Sequence, residues 1–550
     1  MHPELAPSTH VDSFTRDNLP PADQWPAFVF SRPEVIYPEQ INAVAQWLDQ
    51  AVADGHGARP ALVGMEQGEP FGWTYAELLE RVTQIGHVLT HDCALVPGQR
   101  VLLRGANTPM MAACLLAVMR AGLVAVPTMP LLRATELRVI VDKAQIDVAL
   151  YDAQLPDELT PCMADGPNPG LRMAVPFRAN GASNSLEARM AAHPNTGLAH
   201  PAGRDDVCLI AFTSGTTGKP KGTMHFQRDL LAMCDLVPRH LLAMGPDDVV
   251  CGTPPLAFTF GLGGLLAFPL HWGASAVLLE KHTPETLLQT VQRFGATQIY
   301  TAPTFYRQMA ELAPRFNLSS LRQTISAGEA LPDATRTAWR QASGIEMVDG
   351  LGGTEMIHIY LSSASAEVRH GAIGRVLPGY EAMVVDDNMQ PVPPGTVGRL
   401  AVRGPTGCKY LNDARQTDYV QQGWNLPGDS VRCDADGYFF YQARNDDMII
   451  SAGYNIAGPE VEDALLTHPA VAECAVVGLP DEARGQIVCA HVVLNPNTQA
   501  NDALAKALQD HVKQTIAPFK YPRKVVFVAQ LPRTETGKLQ RFKLRQGAAS

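Results

Sequence analysis

Short runs of Val, Ile and Leu alternate along this chain with segments whose apolar residues recur every three or four positions. The first pattern suits buried strands and the second amphipathic helices. Residues 74–89 have helical spacing, with Thr74 placed to cap the start. Residues 100–104 read as a strand, 110–121 as a helix and 123–127 as another strand. Further strands are expected at 148–150, 207–212, 276–279, 298–301 and 322–326. The most apolar stretch, 114–132, contains Arg120, Pro127 and Pro130, so it predicts a buried helix, then a strand and a loop, and not a membrane span. Residues 152–204, rich in Pro, Gly, Asn and Asp, read as an irregular surface excursion. After about Tyr441 the pattern shifts to helix 459–467, strands 471–478 and 487–494, and helix 502–515. The expected class is α/β, with a large multi-layer N-terminal domain, residues 1–442, and a smaller α+β C-terminal domain, residues 443–550.

Composition narrows the function. A chain of 550 residues exceeds a single core, and 46% hydrophobic with 18% charged content is that of a globular protein. The net charge of −11, with no basic stripe to offset it, argues against nucleic acid as a partner. Ten cysteines are scattered without a C-x-x-C pair, which argues against a zinc site or a disulfide framework and suits a reducing cytosol. The start, Met1-His2-Pro3-Glu4, lacks a basic region and an apolar core, so no signal peptide is expected. A cytoplasmic protein without a membrane partner is the expectation. The sequence leaves open whether it forms a homodimer.

The chemistry concentrates in Thr213-Ser214-Gly215-Thr216-Thr217-Gly218-Lys219-Pro220-Lys221-Gly222, directly after the apolar run 207–212. Glycines let a backbone approach a polyphosphate, and amides and hydroxyls donate to its oxygens. Lys219 and Lys221 add positive charge. The spacing is not that of the common P-loop.

This string resembles the phosphate loop of the adenylate-forming superfamily of acyl-CoA ligases, peptide-synthetase adenylation domains and luciferases. The likeness runs from about residue 30 to 545, with the other signatures in family order. Gly352-Gly353-Thr354-Glu355 resembles the second nucleotide motif. Pro427-Gly428-Asp429 resembles the ribose-binding Thr-Gly-Asp, with Pro427 in place of Thr. Arg444-Asn445-Asp446-Asp447 resembles the hinge, and Pro532-Arg533-Thr534-Glu535-Thr536-Gly537-Lys538 the C-terminal lysine loop. The resemblance implies ATP, Mg2+ and coenzyme A as cofactors and a small-molecule carboxylate as substrate. It implies catalytic roles for Lys538, Thr354 and Glu355, with Glu355 on the metal. Nucleotide contacts fall to Thr213, Ser214, Gly215, Thr216, Thr217, Gly218, Lys221, Ala327, Gly328, Glu329, Asp349, Gly350, Asp429 and Arg444. Asp446 becomes the hinge about which a mobile C-terminal domain turns, bringing Gly453 and Tyr454 to the pantetheine arm. Ser451 departs from the lysine that many relatives carry there.

The acyl pocket is expected at Thr259, Phe260, Gly261, Ala302, Gly352 and His358. Their contexts, Phe260-Gly261-Leu262-Gly263 and Thr354-Glu355-Met356-Ile357-His358, resemble benzoate-type aryl-CoA ligases. His10-Val11-Asp12-Ser13-Phe14, Pro97-Gly98-Gln99-Arg100 and Pro127-Thr128-Met129-Pro130 are similar to 2-aminobenzoate–CoA ligases; these segments mark kinship and not specificity, and together with Phe260 and His358 they make 2-aminobenzoate the expected acid. Benzoate, hydroxybenzoates and medium-chain acids are the alternatives. An amino-acid adenylation domain would need a carboxylate for the α-ammonium, and residues 257–264 offer none. A non-catalytic binding protein would be expected to lose Lys538 or Glu355, and both are present.

Overall fold

The computed structural model describes residues 5–547 except 67, 165–169, 180, 215–219, 445–446, 452–453, 482–483, 517 and 534–538. Among the described residues the strands form four sheets. Mixed α/β layers build a large N-terminal domain, and a smaller domain follows it.

The first sheet has parallel central strands, including Gln298–Thr301, Gln323–Ala327 and Met347–Gly352 side by side. The second is ordered Met173–Phe177, Val148–Asp152, Arg100–Arg104, Val124–Thr128, Val207–Ser214, Pro220–Phe226. Its first five strands are parallel, and the last returns antiparallel as a hairpin. A third, antiparallel sheet contains Val397–Arg403, Asp429–Cys433 and Phe439–Arg444. The smaller domain pairs Val471–Asp481 with Gly485–Leu494 and adds helices Gly458–Leu466 and Asp502–Thr515.

Local chemistry explains the elements. Helix Tyr75–His87 begins at Thr74, whose side chain accepts from the Glu77 N–H while the Glu77 carboxylate accepts from the Thr74 N–H. That reciprocal cap satisfies two donors left open at a helix start. Helix Pro109–Arg120 is buried on every side, which accounts for its nearly unbroken apolar sequence. It ends at Arg120, whose guanidinium pairs with Asp49 at 2.6 Å. Among the described residues no helix is long and apolar enough to cross a membrane.

The region 152–204 is more ordered than expected. Strand Met173–Phe177 extends the second sheet beside Val148–Asp152, and Leu186–Met190 is a short helix. Pro176 hid the strand, since proline is tolerated only where a ladder N–H is dispensable, as on this sheet edge. Strand Phe439–Arg444 carries the third sheet past residue 442, so the expected division at 442/443 falls inside a strand.

Candidate active site

Three sheets of the large domain meet at one place. Strands Val207–Ser214 and Pro220–Phe226 set Thr213 opposite Lys221 and Phe212 opposite Gly222. The five residues between them, Gly215, Thr216, Thr217, Gly218 and Lys219, lie outside the described residues. Tyr410 bridges to Thr223, and the Leu411 N–H donates to the Gly222 carbonyl, so the third sheet's flank is stitched to this hairpin.

Strand Met347–Gly352 delivers the Gly-Gly-Thr-Glu turn. Glu355 is 9% exposed, and its Oε1 accepts from the Tyr410 hydroxyl at 2.5 Å. The Lys221 ammonium donates to the same hydroxyl at 2.7 Å and stands 3.5 Å from Oε1. Ile357, two residues on, is buried with φ +68°. That region is costly for a β-branched side chain, and such strain gathers at functional sites. The Met356 carbonyl beside it is held by the Thr406 hydroxyl at 2.9 Å. Glu355 thus meets Lys221 and Tyr410 while His358, three residues later, meets a different set of neighbours.

That set is aromatic. The His358 ring lies 4.6 Å from Phe268 and 5.7 Å from Phe260, and Phe260 is 6.0 Å from Tyr300. His358 is 4% exposed, and its ring faces the Phe260 backbone, a contact that favours the protonated form by less than burial disfavours it. Burial pushes its imidazole down to about 3, so it is neutral at working pH. A Cβ on Gly263 would stand 2.5 Å from the imidazole, and one on Gly264 2.4 Å from the Tyr300 ring. Thr259 and Gly261 lie in the same short helix, Thr259–Leu262, and Ala302 heads helix Pro303–Leu312. Gly352 runs so close to the His358 carbonyl that a Cβ would meet it at 2.5 Å.

Asp429 is buried and accepts from Arg444 at 3.0 Å across paired strands. Gly428 has φ +86°, and a Cβ there would approach the guanidinium at 3.1 Å, so glycine serves both the turn and the ion pair. Ser326 pairs with Asp349 and Ala327 with Gly350 on adjacent parallel strands. Gly328 follows with φ +92°. Glu329 reaches away from this group: its carboxylate meets Arg533 at 3.0 Å and the Thr304 hydroxyl at 3.2 Å.

Burial lifts the Asp349 carboxyl to about 7, against the pull of Arg336 and the Gly350 N–H. The folded state then binds this proton more tightly than the unfolded chain, whose Asp titrates near ~3.9. Stability is therefore lost as pH rises between the two values, and the penalty is complete above the folded one. Asp349→Asn should gain thermal stability over the parent protein at pH ~8.5 by about 2–4 kcal/mol, and much less at pH ~5. Unfolding curves at the two pH values check this; an equal difference at both would mean the carboxyl is not shifted.

Several expected residues fall outside the description: Asp446, Gly453 and Lys538 join the loop glycines and threonines. Arg533 forms an antiparallel bridge with Leu539, so the root of the lysine loop is described although its interior is not. Ser451 is 1% exposed, and its hydroxyl accepts from Arg484 at 3.3 Å. The backbone of Tyr454 starts the strand Tyr454–Ile456 that pairs with it.

Sequence reasoning missed Tyr410, Tyr419, Phe268 and the buried trio Asp229, His225 and Lys409. The Lys409 ammonium sits 2.8 Å from Asp229, both wholly buried. Although burial opposes ionisation, Lys409 holds the Asp229 carboxyl well below the usual range. Asp229 also accepts from the Phe226 N–H, which fixes the end of the hairpin strand. No spacing signals the ion pair, because Lys409 and Asp229 stand 180 positions apart.

Mg2+, a hard cation, asks for oxygen donors, and Glu355 offers a carboxylate beside the hairpin mouth. Among the described residues no group of three or more His, Cys, Asp or Glu side chains could hold a metal. One carboxylate suits an ion that keeps most of its shell for phosphate and water.

Comparison with known proteins agrees with this geometry. Residues 49–410 match the AMP-binding enzyme family, and 460–538 match the AMP-binding enzyme C-terminal domain. The benzoate–CoA ligase of Thauera aromatica is 35% identical over 93% of this chain and 97% of its own. The solved anthranilate CoA ligase AuaEII, in complex with anthranoyl-AMP, superposes with a TM-score of 0.87 at 32% identity, covering 94% of this chain and 99% of that one. A benzoate CoA ligase from Burkholderia xenovorans LB400 gives 0.82 at 30% identity, covering 92% and 100%.

Proposed function

Because the chain belongs to the AMP-binding enzyme family and is an AMP-forming acid–thiol ligase of the benzoate–CoA ligase-like branch, we propose that its acid is an aryl carboxylate, with 2-aminobenzoate foremost. The acid's oxygen attacks the α-phosphorus of ATP, forming an acyl-adenylate and releasing pyrophosphate. The thiol of coenzyme A then displaces AMP to give the thioester. Charge builds on phosphate in the first step, so cations and oriented donors lower its barrier. Lys538, Lys221 and Thr354 are the donors in this reading, and Asp429 with Arg444 holds the ribose. Mg2+ on Glu355 would neutralise part of the phosphate charge.

One observation carries the choice of acid. His358 is buried and neutral, packed on Phe260 and Phe268, and Phe260 packs in turn on Tyr300. Flat apolar walls suit a ring. A neutral imidazole can bond the neutral ortho amino group without burying a charge. An α-ammonium would find no carboxylate in residues 257–264.

Phe260 should pack on the ring. Phe260→Ala should raise the Michaelis constant for the aryl acid by about 30- to 150-fold, the loss of ~2–3 kcal/mol expected for a buried aromatic contact. The constant for ATP should move little. Steady-state kinetics with 2-aminobenzoate and benzoate test this; a variant whose constants for both acids stay at the parent values would contradict the assignment of the pocket.

A further inference from the structure

We propose that Tyr410 is a positioning residue for adenylate formation, its hydroxyl bonded to both Lys221 and Glu355 so that the ammonium and the carboxylate are held where both stay available to the nucleotide. The proposal rests on the adenylation reading above and extends it to a residue outside the recognised motifs.

Tyr410 is 1% exposed. Its hydroxyl accepts from the Lys221 ammonium at 2.7 Å and donates to Glu355 Oε1 at 2.5 Å. An ammonium only donates and a carboxylate only accepts, so a hydroxyl bonded to both has one allowed orientation.

Lys221 and Glu355 Oε1 are 3.5 Å apart. They already form a long ion pair, and without the two bonds to the phenol it is free to shorten to the ~2.7–2.9 Å of a charge-assisted hydrogen bond. A closed pair would spend the ammonium's charge on the carboxylate and the carboxylate's on the ammonium. Both would then be weaker toward phosphate oxygens and toward a cation. The hydroxyl beside the pair takes up one carboxylate oxygen and one ammonium proton and leaves the rest. The Lys221 ammonium also lies 4.8 Å from the Tyr410 ring, so the ring alone keeps part of its placement.

Two further observations support a ligand on this side. A Cβ on Gly353 would stand 3.5 Å from Glu355 Oε2 and 3.7 Å from the Tyr419 hydroxyl, so the second carboxylate oxygen and this hydroxyl face the same point of the Gly-Gly-Thr-Glu turn. Tyr419 is 8% exposed, and its hydroxyl has no hydrogen-bond partner among the described residues. Tyr419 packs edge-on against Tyr410 at 5.8 Å. Tyr410 itself is fixed from behind: its N–H donates to Gln416 at 2.9 Å, and its backbone bridges to Thr223 of the hairpin strand. Its hydroxyl is thus held relative to the backbone that carries Lys221.

The test uses the full-length enzyme and Tyr410→Phe, which keeps the ring and removes the hydroxyl. Acid-dependent pyrophosphate release should fall about 10- to 100-fold, the scale of a charge-assisted hydrogen bond. The half-saturating Mg2+ concentration should rise by about threefold or more, as expected when a carboxylate is partly neutralised by a closer cation. Conversion of supplied acyl-adenylate and coenzyme A to thioester should change by less than about threefold, since no phosphoryl transfer is involved. The melting temperature without ligand should be preserved, while the rise produced by ATP with Mg2+ shrinks. Parent-like pyrophosphate release with parent-like Mg2+ dependence would overturn the proposal. So would equal loss of both half-reactions with a lowered melting temperature, which would mark Tyr410 as structural only. Failure of the underlying reading would show in the parent enzyme, as no acid-dependent pyrophosphate release at any Mg2+ concentration, and would overturn both.

Discussion

Lys538→Ala should lower acid-dependent pyrophosphate release by about 10²-fold or more while leaving the conversion of supplied acyl-adenylate nearly intact. A carboxylate attacking a phosphate brings two anions together, and one ammonium that meets both is worth most in the transition state. In thioester formation the nucleophile is a thiol and the leaving group AMP, so the same charge has no comparable task. The described residues bring the root of this loop to the large domain. Arg533 bridges Glu329 of the large domain and Glu473 of the smaller one, each at 3.0 Å. Arg307 adds a bond to the Val471 carbonyl at 3.2 Å. Glu329 directly follows the Gly328 turn, so if that turn flanks the adenine as proposed, the base of the lysine loop stands on the nucleotide side. Assaying the two half-reactions separately decides the matter. Equal loss of both would sink the idea that the loop serves one step only.

Asp446→Pro should do the opposite, sparing pyrophosphate release and slowing thioester formation at least about 30-fold, the effect of a ~2 kcal/mol barrier. The residues on either side are pinned. Arg444 ends a strand of the third sheet and pairs with Asp429. Asp447 pairs with Arg541 and Arg545 of the C-terminal helix Arg541–Gly547. Residues 444 and 447 are thus each tied to a different part of the chain, and if the proposed pivot is Asp446, proline there fixes one of the angles the rotation needs. A variant with unchanged overall turnover would place the pivot elsewhere.

Much of the scaffold was legible because local pattern and tertiary burial agree. The helix predicted at 502–515 is Asp502–Thr515, with its core-facing Leu508 and Val512 one helical turn apart. Strand Met173–Phe177 was not legible, since a five-residue run containing Pro176 carries no more strand signal than the loops around it. The nucleotide motifs were legible through their order along the chain. Their geometry was not: Lys221, Glu355 and Tyr410 meet across 55 to 189 positions, and neither alternation nor helical spacing reports such contacts. Glu329 is the instructive case. Its neighbours in sequence suggest a nucleotide ligand, while its carboxylate is engaged by Arg533 from the other domain. His358 was marked as a pocket residue by its spacing from Glu355, but only the packing of Phe260 and Phe268 against its ring shows why it stays neutral.

The most direct test of the account is the specificity constant for each acid in a panel of benzoate, 2-aminobenzoate, salicylate, hexanoate and free α-amino acids, with pyrophosphate and acyl-CoA both measured, with and without coenzyme A. The account predicts that the benzoates outrank hexanoate, that 2-aminobenzoate is among the best, and that sustained turnover and thioester product require coenzyme A. A higher constant for hexanoate or for any free α-amino acid than for every benzoate tested would contradict it.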